Sequence, residues 1–227
     1  KLALRRTERG ERIVGRKLGF TNRALWDELG VDAPFWSVVY DSTTIFATGG
    51  VARMSLDAMA QPRLEPELVV HFARAPAARA DELGLLACID WVAPAFELVQ
   101  SHFADWRFRT ADAIADFGVH GALVVGSPTE IGVIGDPLQR LAEFTIEVSR
   151  DGKAVAVGGG DRVLGSPLRA LAYVLERVED QAGWHPLEAG DIVTTGTLTG
   201  LHGVEPGETW EITTAGIPLE SLQVRID

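Results

Sequence analysis

Residues 64–72 read LEPELVVHF: two glutamates open a run that otherwise alternates or stays apolar, the pattern of a β-strand. In a strand, residues two apart project from the same face with Cα atoms roughly 6.6 Å apart. Glu65 and Glu67 therefore share a face at the start of a hydrophobic strand. Working outward, further strands read at 12–20, 95–99, 122–125, 145–150, 191–198, 209–214 and 219–226, separated by Gly/Pro turns. Two helices are legible. One spans 81–91, with Leu83, Leu86, Ala87 and Asp90 on one side, and ends before Pro94. The other is capped by Ser166, starts at Pro167 and ends at Gly183, with Leu168, Leu171, Ala172, Leu175 and Val178 at helical spacing. Strands dominate and helices do not alternate regularly with them, so the expected class is α+β.

The chain has 227 residues, 46% hydrophobic and 23% charged, which fits one soluble domain spanning residues 1–227. Acidic residues outnumber basic ones 32 to 21, for a net charge of −11. That balance argues against nucleic acid or an anionic membrane as a partner. The longest apolar stretch, 83–99, is interrupted by Asp90 and Glu97, so no span crosses a bilayer. The single Cys88, read inside the first helix, fits a reducing compartment, and the cytoplasm is the expected location. The chain starts at Lys1 without methionine, so a further N-terminal segment is expected to precede it.

The chemistry-bearing residues are those that conflict with their surroundings. Two carboxylates about 4 Å apart repel by roughly 4 kcal/mol at an effective dielectric near 20. Glu65 and Glu67 therefore call for a proton, a basic partner or a cation. Glu97, in WVAPAFELVQ, sits in some of the most apolar sequence of the chain. Three carboxylates on apolar strands suit a hard cation such as Mg²⁺ or Mn²⁺, which prefers oxygen ligands. An exposed strand face, or an arginine partner such as Arg63, accounts for the Glu-x-Glu pair without metal. Lys17, in RIVGRKLGF, shares its face with Gly15 and Gly19, whose missing side chains permit close approach. A lysine, unlike an arginine, is readily tuned for proton transfer, and the chain has only three lysines. A solvated strand lysine is the plainer alternative. Gly158–Gly160 reads as a turn into a helix or, less simply, as an anion cradle. The five histidines show no metal-binding spacing, and no nucleophile elbow is present.

Taken in order, RIVGRKLGFT, PRLEPEL, IDWVAPAFELVQS, ADWRFRTADAIAD, GGGDRVLGSPLRALAYV and LEAGDIVTTGTLTG resemble the 2-hydroxypenta-2,4-dienoate hydratase and 4-oxalocrotonate decarboxylase group of the fumarylacetoacetate hydrolase superfamily. The resemblance runs nearly end to end. It implies a fumarylacetoacetase C-terminal-like fold, a mixed β-sandwich or barrel-like roll with flanking helices, preceded in the family by a largely helical segment. It also implies that Glu65, Glu67 and Glu97 hold one Mg²⁺ or Mn²⁺, and that Lys17 is the acid/base lysine. By the same resemblance Asp41 is an acidic residue near the substrate, orienting Lys17 or a water, and Thr197 helps hold the substrate carboxylate.

The implied activity is hydration of a 2-hydroxy-2,4-dienoate or its 2-oxo tautomer in aromatic-compound catabolism. Decarboxylation of a 2-oxo-enedioate by the same site is the runner-up. Acylpyruvate C–C hydrolysis, which uses a Glu-His pair not evident beside the triad, and a non-catalytic partner subunit are further alternatives. The expected partners are a small 2-oxo acid and other copies of the chain in a homo-oligomer, with a complex with a related hydratase or decarboxylase as an extension. One segment departs from the family pattern. Asp116 is followed by Phe117-Gly118-Val119-His120 where relatives carry an Asn-x-Ser arrangement, and His102 stands where relatives often carry arginine.

Overall fold

The computed structural model describes residues 2–31, 33–178 and 186–227. Among these residues fourteen strands are formed: β1 (Ile13–Gly19), β2 (Phe35–Tyr40), β3 (Thr44–Phe46), β4 (Val51–Met54), β5 (Arg63–Phe72), β6 (Ile89–Val99), β7 (His120–Val125), β8 (Thr129–Glu130), β9 (Thr145–Arg150), β10 (Lys153–Gly159), β11 (Ile192–Thr194), β12 (His202–Gly203), β13 (Thr209–Ala215) and β14 (Leu222–Ile226). Six short helices accompany them: α1 (Leu2–Glu8), α2 (Trp26–Leu29), α3 (Glu82–Leu86), α4 (Thr110–Ala115), α5 (Pro137–Glu143) and α6 (Pro167–Val178). The class is α+β, as the strand-rich pattern implies.

Nine strands form one mixed sheet with the path β2-β1-β11-β5-β6-β7-β3, while β12 pairs with β5 and β8 with β6. The other five form a second sheet, β10-β9-β13-β14-β4. The period of two in β5 explains how these layers meet. Leu64, Leu68, Val70 and Phe72 point into the main core, with Phe96, Leu98 and Val124 from the same sheet. Val148, Trp210, Ile212, Leu222 and Val224 of the second sheet, and Leu168 and Leu171 of α6, complete that core. Each such fully buried large side chain contributes about 2 kcal/mol. The opposite face of the nine-stranded sheet is buried too. It carries a second apolar cluster of Val39, Val69, Ala93, Ala95, Leu123, Val125 and Ile192. A sheet covered on both faces explains why β5 and β6 read as nearly continuous apolar runs.

The helix expected at 81–91 is corrected. Only Glu82–Leu86 is helical, capped by the Asp81 carboxylate accepting from Gly84 N. The chain then enters β6 at Ile89, runs through Pro94, and pairs with β5 along ten register positions. Asp90 and Trp91 are therefore strand residues, and Cys88 lies between the two elements. Leu83, grouped on one side with Leu86 and Ala87 by the helical reading, is exposed. Local helical spacing lost to long-range pairing, which decides strand propensity. The α6 reading holds at its start, where Ser166 Oγ accepts from Arg169 N at 3.1 Å. Its expected end at Gly183 lies outside the described residues. The strand expected at 191–198 is short, Ile192–Thr194, and β2, β3, β4 and β10 are additional strands.

Gly158–Gly160 leads from β10 into the 3-10 turn Gly160–Arg162 ahead of α6, in keeping with the turn reading, and is closely packed besides. Gly158 and Gly159 end β10, and a Cβ on Gly158, Gly159 or Gly160 would stand 1.9, 2.2 or 2.0 Å from the carbonyl oxygens of Leu198, Phe144 and Leu141 respectively. Backbone passes against backbone there, and only glycine fits. Gly160→Ala is expected to destabilise the chain by about 2 kcal/mol or more through overpacking. Urea unfolding of the variant against the parent measures it, and an unchanged midpoint would contradict the close approach.

Candidate metal centre

Strand register assembles the site. In the β5–β6 pairing Glu65 stands opposite Glu97, and Glu67 opposite Ala95. Lys17 of β1 pairs with Thr194 of β11, which pairs in turn with Val69 of β5. Residues paired across strands share a face, so Lys17, Glu65, Glu67 and Glu97 all project from the second-cluster side of the nine-stranded sheet. One carboxylate oxygen from each of the three glutamates lies within 4.8 Å of the others. Glu67 and Glu97 are buried and Glu65 is half-buried. Lys17 Nζ, also buried, donates to Glu97 Oε2 at 2.9 Å and stands 2.8 Å from Oε1 in an ion pair. Arg63 does not serve the pair; its guanidinium stacks 4.5 Å from the centre of the Trp106 ring.

The surroundings of the four side chains are specific. Glu67 Oε2 accepts the Gly196 backbone N–H at 2.7 Å. Gly196 has φ +104°, and a Cβ there would collide with Thr21 Oγ1 at 1.7 Å, so glycine is required to deliver that N–H. Glycine also frames Lys17, since a Cβ on Gly15 would meet Ile192 O at 1.8 Å and one on Gly19 the Phe35 ring at 2.3 Å. Glu97 Oε1 accepts from His120 Nδ1 at 2.7 Å, and His120 Nε2 lies 3.0 Å from Thr43 Oγ1. A Glu-His pair thus does stand beside the triad, contrary to the sequence reading. His120 is not among the cleft-lining residues, however, and its Nδ1 meets Glu97 at Oε1, the oxygen that also lies 2.8 Å from Lys17 Nζ. Beside Lys17, the buried Thr194 hydroxyl has no hydrogen-bond partner among the described residues.

Burial and mutual repulsion set the protonation of the group. Burial raises the Glu67 pKa well above the usual carboxylate value, reinforced by Glu97 and Glu65. Burial likewise raises Glu65, to about 7, against the pull of Lys17. Glu97 resists its burial, because the Lys17 ammonium and His120 draw it down to about 2. Burial alone would strip the Lys17 proton, but the Glu97, Glu65 and Glu67 charges outweigh it and raise its pKa. Three ionised carboxylates against one ammonium leave two negative charges, which one divalent cation neutralises. The oxygen-only donor set suits Mg²⁺ or Mn²⁺.

A pH dependence follows from Glu65. Between its ordinary value of 4.5 and about 7 the folded chain keeps a proton that the unfolded chain has lost. Metal-free stability therefore falls as pH rises through that window, while metal, competing with the proton, binds more tightly. The metal-free melting temperature is expected to drop from pH 5.5 to 8 and the Mn²⁺-induced rise to grow over the same range. Glu65→Gln should flatten both trends; melting curves with and without Mn²⁺ test this, and parallel trends in parent and variant would contradict it.

Lys17, Glu65, Glu67 and Thr197 line one cleft. Thr197 is buried, with its hydroxyl donating to Gly200 O at 3.1 Å. Asp41 is elsewhere, a correction to its expected place beside Lys17. Ser37 pairs with Lys17 in the β1–β2 register, so Asp41 lies four residues further on, about 13 Å at 3.3 Å per residue. There its carboxylate accepts from the Arg12 backbone N–H and Nε, both at 3.0 Å. The divergent segment divides its roles: Gly118 and Val119 line the cleft, Phe117 packs edge-on against Tyr40, and His120 supports Glu97. His102 bonds the Asp116 carboxylate at 2.9 Å, exposed and outside the cleft lining.

Comparison with known proteins agrees with this geometry. The fumarylacetoacetate (FAA) hydrolase C-terminal family matches residues 17–225. A 2-keto-4-pentenoate hydratase of Paraburkholderia xenovorans is 33% identical over 214 residues, covering 94% of this chain and 76% of the relative. A 4-oxalocrotonate decarboxylase of Pseudomonas sp is 32% identical over 206 residues, covering 91% and 76%. Among solved structures, the 4-oxalocrotonate decarboxylase from Pseudomonas putida complexed with magnesium and adipate matches with a TM-score of 0.87 at 25% identity, over 100% of this chain and 82% of that one.

Proposed function

Given that the chain belongs to the fumarylacetoacetate hydrolase C-terminal family, we propose that it is a divalent-metal-dependent hydro-lyase adding water to a 2-hydroxy-2,4-dienoate or its 2-oxo-enoate tautomer. The buried Glu65, Glu67, Glu97 and Lys17 constellation on one sheet face carries the reading. In it, the three glutamates hold Mg²⁺ or Mn²⁺. A cation bound there supplies Lewis acidity toward a 2-oxo acid and cancels the negative field that holds the Lys17 proton.

Lys17 is the proton-transfer group. It lines the cleft, it is buried among carboxylates, and Glu97 fixes its Nζ. His120, itself held by Thr43, bonds the Glu97 carboxylate at Oε1 and so fixes the group that positions that Nζ. The Thr197 hydroxyl binds the substrate carboxylate by turning from Gly200 O. Asp41, tied to Arg12, is left out of this assignment. A homo-oligomer acting in the cytoplasm is part of the reading. Val155 and Val157, exposed on edge strand β10, support the first, and the lone Cys88 supports the second. No helix among the described residues is long and apolar enough to cross a membrane.

Decarboxylation of a 2-oxo-enedioate by the same residues is the second reading, favoured by the structural likeness to the Pseudomonas putida decarboxylase. Offering 2-hydroxypenta-2,4-dienoate and 4-oxalocrotonate separately, with Mg²⁺, separates the two. Hydration of the dienoate is the expected result. CO₂ release from 4-oxalocrotonate without hydration would favour the second reading, and inertness toward both would overturn the lyase assignment.

A further inference from the structure

Away from the triad the cleft is walled by Phe20, Leu25, Phe35, Trp106, Phe108 and Leu201. Val119 joins this wall at φ +56°, following Phe117 at +53° and Gly118 at +68°. A β-branched residue rarely adopts that conformation, so the backbone accepts strain to present an apolar side chain here. Lys17 is the only cationic side chain among the described residues lining the cleft, and its Nζ bonds Glu97. Two polar neighbours are already engaged: Thr21 Oγ1 donates to Thr195 O at 2.8 Å, and Asn22 Nδ2 donates to Thr199 O at 3.3 Å. Arg63 lies against Trp106 and does not line the cleft.

Resting on the 2-oxo acid reading, we propose that the substrate of this chain carries an uncharged, apolar group at its distal end and that the cleft rejects a second carboxylate there. Charge and solvation agree on this. A divalent cation neutralises the triad and Lys17 together, and the head carboxylate then adds the one negative charge that the cation and Thr197 can accommodate. A distal carboxylate would enter an apolar wall with no ammonium or guanidinium to receive it, and burying an unpaired charge is strongly unfavourable. An alkyl or aryl tail instead gains from each buried methylene, about fourfold in affinity. The residues that set this preference are Phe35, Phe108, Val119 and Leu201, none of which touches the triad through a hydrogen bond.

The test uses unreactive ligands, a monoacid and a diacid of equal length and a longer monoacid, so that binding is read apart from turnover. The Mn²⁺-loaded full chain is titrated calorimetrically with 2-oxohexanoate, 2-oxooctanoate and 2-oxoadipate. The two monoacids are expected to bind at least about tenfold more tightly than 2-oxoadipate, with 2-oxooctanoate the tighter of the pair. Leu201→Arg is expected to narrow or reverse the gap. Should that variant fail to fold, the comparison in the parent chain decides alone. Equal or tighter binding of 2-oxoadipate by the parent would overturn the proposal while leaving the 2-oxo acid reading in place. Absence of Mn²⁺-dependent binding by all three ligands would overturn that underlying reading as well.

Discussion

Glu67→Gln is expected to weaken Mn²⁺ binding by about a hundredfold or more and to make the metal-free protein more stable than its parent. The two effects have one cause. Glu67 is buried against Glu65 and Glu97, and burial and their charges push it toward the neutral form. The amide keeps the shape of the side chain and can still accept the Gly196 N–H through its oxygen. What it removes is charge, so the repulsion that burdens the empty site is relieved. The same removal leaves two carboxylates beside the Lys17 ammonium, one negative charge in place of two, and a divalent cation is no longer neutralised. Loss of a supporting residue around a metal already costs about 10- to 100-fold in affinity, and loss of a ligand costs at least as much. Calorimetric titration with Mn²⁺, with melting of the metal-free forms, reads both effects. Parental Mn²⁺ affinity with full turnover in the variant would remove Glu67 from the metal site.

Lys17→Met is expected to separate chemistry from metal binding. The substitution keeps an unbranched chain of similar reach but removes the ammonium that bonds and ion-pairs with the Glu97 carboxylate. Loss of a general acid/base lowers turnover by about 10² to 10⁴. Breaking a buried ion pair by removing one member costs about 3–5 kcal/mol, so the metal-free variant should melt earlier than the parent. Mn²⁺ affinity should hold or rise, because a competing positive charge has left the triad. Turnover at saturating Mn²⁺, measured beside calorimetric affinity, gives the split. Unchanged turnover would make Lys17 a structural counter-ion, and a collapse of Mn²⁺ affinity would make it part of the metal site.

The parts of this site that sequence reveals are those encoded by local conflict. Glu65 and Glu67 at period two on an apolar strand, and Glu97 in an apolar run, announce themselves because burying carboxylates is costly. Lys17 stands out between glycines whose missing side chains the structure needs at Ile192 O and Phe35. What sequence hides depends on register. His120 looked like a departure from a pattern; only the β6–β7 pairing brings its ring to Glu97. The one signal available was a histidine entering an apolar strand. Asp41 shows the reverse: its sequence neighbourhood fits a substrate-facing acid, but the antiparallel β1–β2 pairing carries it along the sheet to Arg12. The misread helix at 81–91 has the same origin, since the residues that make β6 a strand lie on β5 and β7.

The position of β11 bears on when this site can exist during synthesis. Three residues, Ile192–Thr194, lie between β1, which starts at Ile13, and β5, which starts at Arg63. The segment just after them supplies the Gly196 N–H to Glu67. All four charged residues have been synthesised by residue 97, yet the strand that holds Lys17 beside the β5 glutamates is made roughly a hundred residues later. Non-local pairing of this kind slows folding and exposes unpaired strand edges in the interim. A nascent chain stopped short of Ile192 therefore holds the three paired-strand glutamates but lacks the strand that sets Lys17 beside them and the Gly196 N–H that Glu67 accepts, so the complete site belongs to the end of folding.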